Sequence, residues 1–340
     1  MQKRRCLNQL TRSLLMAMCL LLSTSPVFSG TTRPINLAVE FVDHAACAHI
    51  ANHFNWYAET GLNVNSFDSY ATGMGLSAAL AKGGIDAAYL CLLPAINSYA
   101  NAHVPIKIVA GTHLYGYGLI VNPEKIKTVQ DLARPGIRLG CTREGSPPAA
   151  LLHKLQAAYD LDPKIIANAR RMPPPKLLLG LKTGQLDAAF MPEQFPTMGQ
   201  ADGFKELINA RDLWPNMQGS VLVVHQNLIK DHPDVVKKLV GLTQRGIQYI
   251  HDNPEQAGII VAQELNVMER DLSPVKLAGS LQQLRVTPDV IQRSLEHKLV
   301  NTTSIDSEMV QEMINYAAKI GNIKKPFPAE EILDLRFLHE

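Results

Sequence analysis

Short apolar runs alternate with helix-period segments along most of the chain. Ile35–Val39, Leu62–Phe67, Ala87–Cys91 and Ile106–Ala110 read as buried strands. Between the first two, Cys47, Ile50, Phe54 and Tyr57 recur at the spacing of one helix face. Ile137–Cys141 gives another strand. Ser146 followed by Pro147 then marks a helix start, with Leu151, Leu155 and Tyr159 on its inner face. Beyond about residue 230 the pattern becomes helix upon helix. Val236, Val240, Ile247 and Ile250 form one stripe, and Asn253-Pro254 opens a further helix carrying Ala257, Ile260, Val261 and Leu265. Strands alternating with helices, followed by a helical C-terminal segment, predict an α/β fold with mostly parallel sheets.

The chain also repeats itself. Leu80-Ala-Lys-Gly83-Gly-Ile-Asp86-Ala-Ala-Tyr89-Leu90 matches Leu181-Lys-Thr-Gly184-Gln-Leu-Asp187-Ala-Ala-Phe190-Met191 at an offset of 101. Each copy reads as a helix end, a glycine stop, a turn and a buried strand. Two related lobes follow, residues 31–118 with 220–340 and residues 119–219, joined by strand-like hinges near Tyr117–Val121 and Val221–Val224. A chain of 340 residues is long enough for two cores. Two such lobes would meet across a cleft at their strand ends, where open α/β sheets receive ligands.

Composition changes this picture little. With 46% hydrophobic residues, 33 Lys+Arg and 31 Asp+Glu, the chain is neither disordered nor basic enough for a nucleic-acid partner. The N-terminus changes more. Lys3, Arg4, Arg5 and Arg12 precede a nine-residue apolar run, Leu14–Leu22. That is too short to span a membrane, and Val27 and Ser29 give a cleavage pattern. Residues 1–29 are therefore expected to be a signal peptide, cleaved near Ser29, with a periplasmic mature protein of formal charge −2 (29 basic against 31 acidic). Cys19 sits inside the apolar run after the bulky Met18, a poor context for lipid attachment. The mature chain keeps Cys47, Cys91 and Cys141, too few for a disulfide framework.

Several segments together carry a family resemblance. They are Gly61-Leu62, Ala71-Thr-Gly73, Gly83…Asp86-Ala-Ala, Gly140-Cys-Thr142…Gly145-Ser146, Met172-Pro173-Pro174, Gly184…Asp187-Ala-Ala-Phe-Met-Pro-Glu193, and His232-Pro233…Asn253-Pro254-Glu. In order and spacing the chain resembles the solute-binding proteins of ABC importers in the nitrate/sulfonate/taurine group, which includes binders of thiamine-pyrimidine precursors. The resemblance implies a two-lobed periplasmic-binding-protein fold of type 2. It also implies a monomer, without cofactor or catalysis, that passes a small organic anion or zwitterion to an inner-membrane permease and its ATPase.

The candidate ligand residues lie at strand ends. In the first lobe they are His44, Thr72, Gly73, Cys91, Tyr89 and Tyr115. His44 either touches solute or is a surface histidine at a helix start, with Asp43 beside it as N-cap. Tyr89 either lines the cleft or packs in the core. In the second lobe, Thr142, Ser146 and the N–H groups after Gly145 form an anion cradle, with Arg143 as a two-pronged partner or a solvated side chain. Met191 and Glu193 close the last strand; a Glu193 facing the cleft calls for a donor or positive group on the solute.

Two other classes compete for the same residues. His49 and His53 share a helix face as a metal pair would, but Cys47 turns away with Ile50 and Phe54. Enzymes that make the thiamine pyrimidine share this resemblance, yet the chain has neither their cysteine cluster nor a nucleophile–base, P-loop or dinucleotide motif.

Overall fold

The apolar runs become strands in two separate sheets. The computed structural model describes residues 33–271 and 284–339, so the signal peptide expected at residues 1–29, with Cys19, lies outside the described residues. The strands are β1 (Ile35–Glu40), β2 (Val64–Tyr70), β3 (Ala87–Cys91), β4 (Ile106–Tyr115), β5 (Tyr117–Val121), β6 (Leu139–Cys141), β7 (Arg170–Arg171), β8 (Ala188–Pro192), β9 (Lys205–Asn209), β10 (Gln218–His225) and β11 (Leu299–Asn301). The longer helices are α1 (Ala46–His53), α2 (Gly73–Lys82), α3 (Leu92–Ala102), α4 (Pro147–Ala158), α5 (Pro174–Lys182), α6 (Phe195–Ala201), α7 (Pro233–Asp252), α8 (Pro254–Asp271) and α9 (Ser307–Lys319).

One sheet has the order β11-β4-β10-β3-β1-β2 and the other β9-β5-β8-β6-β7. Without β11 the two orders coincide, β4-β10-β3-β1-β2 matching β9-β5-β8-β6-β7 strand for strand. The repeat seen in sequence is thus a repeat of topology. The strands β10 and β5 hold equivalent places, and each is the strand by which the chain enters its sheet from the other. Only Gly116 separates the end of β4 in the first sheet from the start of β5 in the second, and β10 returns to the first once the second is complete. From Pro34 on, the chain forms one compact body.

The expected α/β class holds, but the sheets are mixed rather than mostly parallel. β1 pairs in parallel with β2 and β3, and β6 with β7 and β8. β10, β5 and β11 pair antiparallel with their neighbours. β10 and β5 each arrive from the other sheet, without the crossover helix that would turn them parallel.

The repeated aspartates explain why the motif recurs. Asp86 Oδ2 accepts the Asn36 N–H at 2.9 Å, and Asp187 Oδ2 accepts the Arg138 N–H at 2.9 Å. Each fastens the entry of one parallel strand to the start of the next. Asp187 also binds the Arg138 guanidinium at 2.8 Å and the Lys125 ammonium at 2.6 Å. These charge-assisted bonds hold its carboxyl well below the usual carboxylate range.

The helical C-terminal segment packs on the first sheet. Gly246 of α7 lies against Cys47 of α1, where a Cβ would come within 2.6 Å of the Cys47 carbonyl oxygen. Tyr89 meets Thr243 of α7 through its hydroxyl at 3.0 Å. Tyr159, expected on the inner face of its helix, is 38% exposed, because α4 ends at Ala158.

Candidate functional site

The carboxyl end of β1 carries Glu40, a charged residue closing an apolar strand and only 5% exposed. Its Oε1 accepts the N–H of Cys91, the residue capping α3, at 2.6 Å, and its Oε2 accepts the Cys91 thiol at 3.3 Å. Burial pushes the Glu40 carboxyl up to about 7, against the pull of these two donors. His44 lies 3.7 Å from the same sulfur through Nδ1, and its Nε2 is 3.0 Å from the Gly116 carbonyl oxygen. A carbonyl only accepts, so the proton sits on Nε2 and Nδ1 is left to accept, facing the Ser220 hydroxyl at 3.5 Å. Tyr117 donates to the Cys91 sulfur at 3.2 Å, and the His113 ring lies 4.2 Å from that of His44.

This cluster joins β1, β3 and both crossing strands. Its geometry has the outline of a cysteine–histidine–acid site, but its electrostatics do not fit a nucleophile. Burial and the Glu40 charge push the Cys91 thiol well up, and burial together with His113 pushes the His44 imidazole well down. Catalytic thiols need the opposite, a depressed pKa beside a cation. The arrangement suits neutral hydrogen bonding.

In the second sheet, the loop between β6 and α4 brings Thr142 and Ser146 together, hydroxyl to hydroxyl at 2.6 Å. Ser146 donates to the Arg143 carbonyl at 2.6 Å and makes no cap to its helix, although it holds the N-cap position. α4 then opens on Pro147-Pro148, neither of which has an N–H to offer. Arg143 is exposed, while Thr142 and Ser146 are buried. Gly145, at φ +84°, touches two helices that flank the first sheet. The Asn97 side-chain amide of α3 donates to its carbonyl at 3.1 Å, and a Cβ there would meet Met74 of α2 at 3.2 Å. Only glycine allows this approach without strain.

A second contact joins the ends of β1 and β8. The Asp43 N–H donates to Gln194 Oε1 at 3.1 Å. Asp43 is no N-cap. It is the first residue of a short 3-10 turn, fully buried, and its carboxylate has the Ser294 hydroxyl beside it but no hydrogen bond of good geometry among the described residues. Burial pushes its carboxyl up to about 7, partly offset by the nearby Ser294 hydroxyl. Glu193 accepts from the Thr197 hydroxyl at 2.8 Å, and burial reinforced by the Asp43 charge pushes it up to about 8.

The residues expected from sequence divide. His44 and Cys91 belong to the first cluster; Thr142, Gly145 and Ser146 to the loop after β6; Glu193 to the contact with Asp43. Thr72 caps α2, accepting the Gly75 N–H at 3.1 Å, and Gly73 lies against Glu40. Tyr89 and Met191 are core residues, 1% and 0% exposed. Tyr115, with φ +63°, sits under the Arg211 guanidinium beside a cavity of about 120 Å³ that also touches Glu193. Sequence reasoning missed Glu40, His113 and Ser220. A lone acid ending an apolar strand could have revealed Glu40; residues on the crossing strands carry no such signal. His49 and His53 diverge, His49 facing Phe67 and His53 lying 3.2 Å from Glu264. Cys47, Cys91 and Cys141 are buried and unpaired.

Residues 30–264 match the model of the NMT1-like family. Solved structures share the fold over nearly the whole chain. A ligand-binding component of an ABC-type import system from Staphylococcus aureus, solved with zinc bound, is 18% identical, with a TM-score of 0.71 over 90% of this chain and 98% of that one. The alkanesulfonate-binding protein SsuA from Xanthomonas axonopodis pv. citri, bound to MOPS, is 15% identical, with a TM-score of 0.69 over 89% and 98%. The periplasmic nitrate-binding protein NrtA from Synechocystis PCC 6803 is 14% identical, with a TM-score of 0.70 over 90% and 87%. The bicarbonate transport ATP-binding protein CmpC from Synechocystis is 23% identical over 236 residues, 64% of this chain. The match spans 35% of that relative's length. The fold is accordingly that of the periplasmic binding proteins.

Proposed function

The chain belongs to the NMT1-like family, and from that premise we propose that it is the solute-binding component of an ABC-type importer. The mature protein works as an exported monomer, captures a small polar solute between its two lobes and presents it to a membrane permease with its ATPase. The observation that supports this most is the strand exchange. The chain passes between sheets of the same order at the starts of two equivalent strands, β5 and β10, and buried polar side chains gather where these strands meet the ends of β1, β3, β6 and β8. Hinges of this kind let two lobes close on a solute. No helix among the described residues is long and apolar enough to cross a membrane.

The protein exported from its own N-terminus should lose residues 1–29 and carry a retained small molecule in native mass spectrometry. Removing that molecule by unfolding and refolding should enlarge the radius of gyration in solution scattering, and adding it back should restore the smaller value. A chain that retains nothing and shows one radius under all conditions contradicts the reading.

A further inference from the structure

Two carboxyl groups from opposite sheets meet at the crossing between them. Asp43 follows the end of β1 and is 0% exposed; Glu193 follows the end of β8 and is 1% exposed. Their segments converge on Gly116, the residue between β4 and β5. The Glu193 N–H donates to the Gly116 carbonyl at 2.9 Å, and His44, next to Asp43, binds the same oxygen. The Asp43 N–H in turn reaches Gln194 Oε1, and the Asp43 carboxyl is close enough for its charge to act on Glu193. Hydroxyls serve both acids, Ser294 beside Asp43 and Thr197 on Glu193. The cations around them are engaged elsewhere. Lys298, which lines the small cavity beside Glu193, is paired with Glu206. Arg293, adjacent to Ser294, pairs with Asp289 of its own helix, and Arg211 lies over the Tyr115 ring.

Two buried acids without a counter-ion persist as neutral groups, because an unpaired charge away from water costs more than binding a proton. Burial accordingly holds Asp43 at about 7 and Glu193 at about 8, the latter raised further by Asp43. We infer that Asp43 and Glu193 form a proton-operated latch, with both carboxyls neutral when the cleft is closed and their ionisation driving it open. The latch rests on the two-lobe reading above and adds a control to it. Once the lobes part, water reaches the joint and each acid releases its proton at its ordinary value. Closure therefore takes up protons. It weakens by up to about tenfold per pH unit for each proton held, until the closed joint itself ionises near 7–8. The other titratable groups at the joint leave this range to the two acids. His44 and His113 press on Gly116, where a Cβ would lie 2.9 and 3.1 Å from their rings. Burial lowers both, so from about pH 7 upward they are neutral whether the cleft is open or closed. Cys91 and Tyr117 are pushed up and stay neutral as well. Glu40 is bonded to Cys91 beside the first sheet alone, Glu206 keeps Lys298, and His297 is exposed to water.

Closure can be titrated with the molecule that the exported protein retains. Refolded protein, freed of that molecule, is followed by solution scattering as the molecule is added back between pH 6.5 and 8, with circular dichroism confirming the fold. The concentration that restores the smaller radius of gyration should rise at least tenfold across this range. Calorimetry at pH 7 in imidazole and in Tris should show protons taken up on binding, a readout that needs no variant. Glu193→Gln should remove most of the rise and Asp43→Asn a smaller part; the double variant should close equally well at both ends. A restoring concentration that stays level with pH overturns the latch, as does binding without proton uptake. A double variant that still weakens as the parent does overturns it too. In each of these outcomes the molecule still closes the protein, so the solute-binding reading stands. A protein that retains nothing, or keeps one radius with and without the molecule, contradicts that reading and takes the latch with it.

Discussion

The two sheets share one order of strands and one aspartate clamp, yet their strand ends differ. In the first sheet, β1 ends in Glu40 and is followed by Asp43 and His44, an acid-rich edge wrapped around a neutral thiol. In the second, the equivalent β6 ends in Cys141 and is followed by Thr142 and Ser146, hydroxyls that bond each other and the backbone. The clamps differ in the opposite direction, with Asp187 engaging both Arg138 and Lys125. A duplicated framework can thus keep its fastening points while each copy changes at its open end, because the clamp lies at strand entries and the buried polar clusters at strand exits.

The clamp gives the largest expected effect. Asp187→Ala removes a buried carboxylate that receives one backbone and two charged partners. The Arg138 and Lys125 side chains are partly exposed and can turn to water, which limits the loss to about 3 kcal/mol in urea unfolding. Asp86→Ala, at the less buried copy, should cost about 1 kcal/mol. Equal costs would mean that the charges around Asp187 add nothing.

Next comes Gly73→Ala. Its Cβ would overlap Glu40 Oε1 and lie 2.9 Å from Pro94, an overpacking expected to cost about 1–3 kcal/mol. It should also turn the Glu40 carboxylate away from Cys91, detected as increased thiol accessibility to a maleimide. An inert thiol in the folded variant would show that Glu40 does not depend on this glycine.

The pH profile tests the acid-rich edge. Glu40 and Asp43 at about 7 and Glu193 at about 8 lie above their ordinary values of 4.5, 3.8 and 4.5. The folded chain therefore holds protons that the unfolded chain has released, and these groups lose stability as pH rises from the ordinary values through 7–8. The buried histidines act oppositely. His49 and His113 are lowered to about 4 from 6.5, and His44 is lowered as well, so their contribution is present above 6.5 and lost as pH falls towards 4. Three acids and three histidines then nearly cancel between about pH 5 and 6.5. Stability should stay level there and decline towards pH 8, by up to about 1.4 kcal/mol per pH unit for each proton held. Glu193→Gln should flatten that decline in thermal melts; a midpoint rising steadily to pH 8 would contradict buried, protonated acids.

The hydroxyl edge should respond more weakly. Ser146→Ala removes one hydroxyl from two short hydrogen bonds and should cost about 1 kcal/mol by denaturant unfolding. Arg143→Ala, at an exposed position, should stay within about 0.5 kcal/mol of the parent and leave solute affinity nearly unchanged. A tenfold loss of affinity in Arg143→Ala would reinstate the cradle read from the sequence.

Local pattern carried the class of the fold, the duplication and most strand positions. The Gly83…Asp86 and Gly184…Asp187 copies suffice to show the duplication, because a glycine stop, an aspartate and an apolar run act within about ten residues of each other. His44, Cys91, Thr142 and Ser146 were legible for the same reason, as residues at strand exits. Long-range encounters were not. Glu40 reaches Cys91 across 51 positions, His44 reaches Ser220 across 176, and Asp43 meets Gln194 across 151. Whether Tyr89 faces solute or Thr243 depended on a helix 154 residues away. Charge at those meeting points depends on burial and on neighbours supplied by other elements. Residue types and spacing therefore pointed to an anion cradle at Arg143 and Ser146, while the assembled chain spends the Ser146 hydroxyl on the Arg143 carbonyl and leaves the Arg143 side chain exposed.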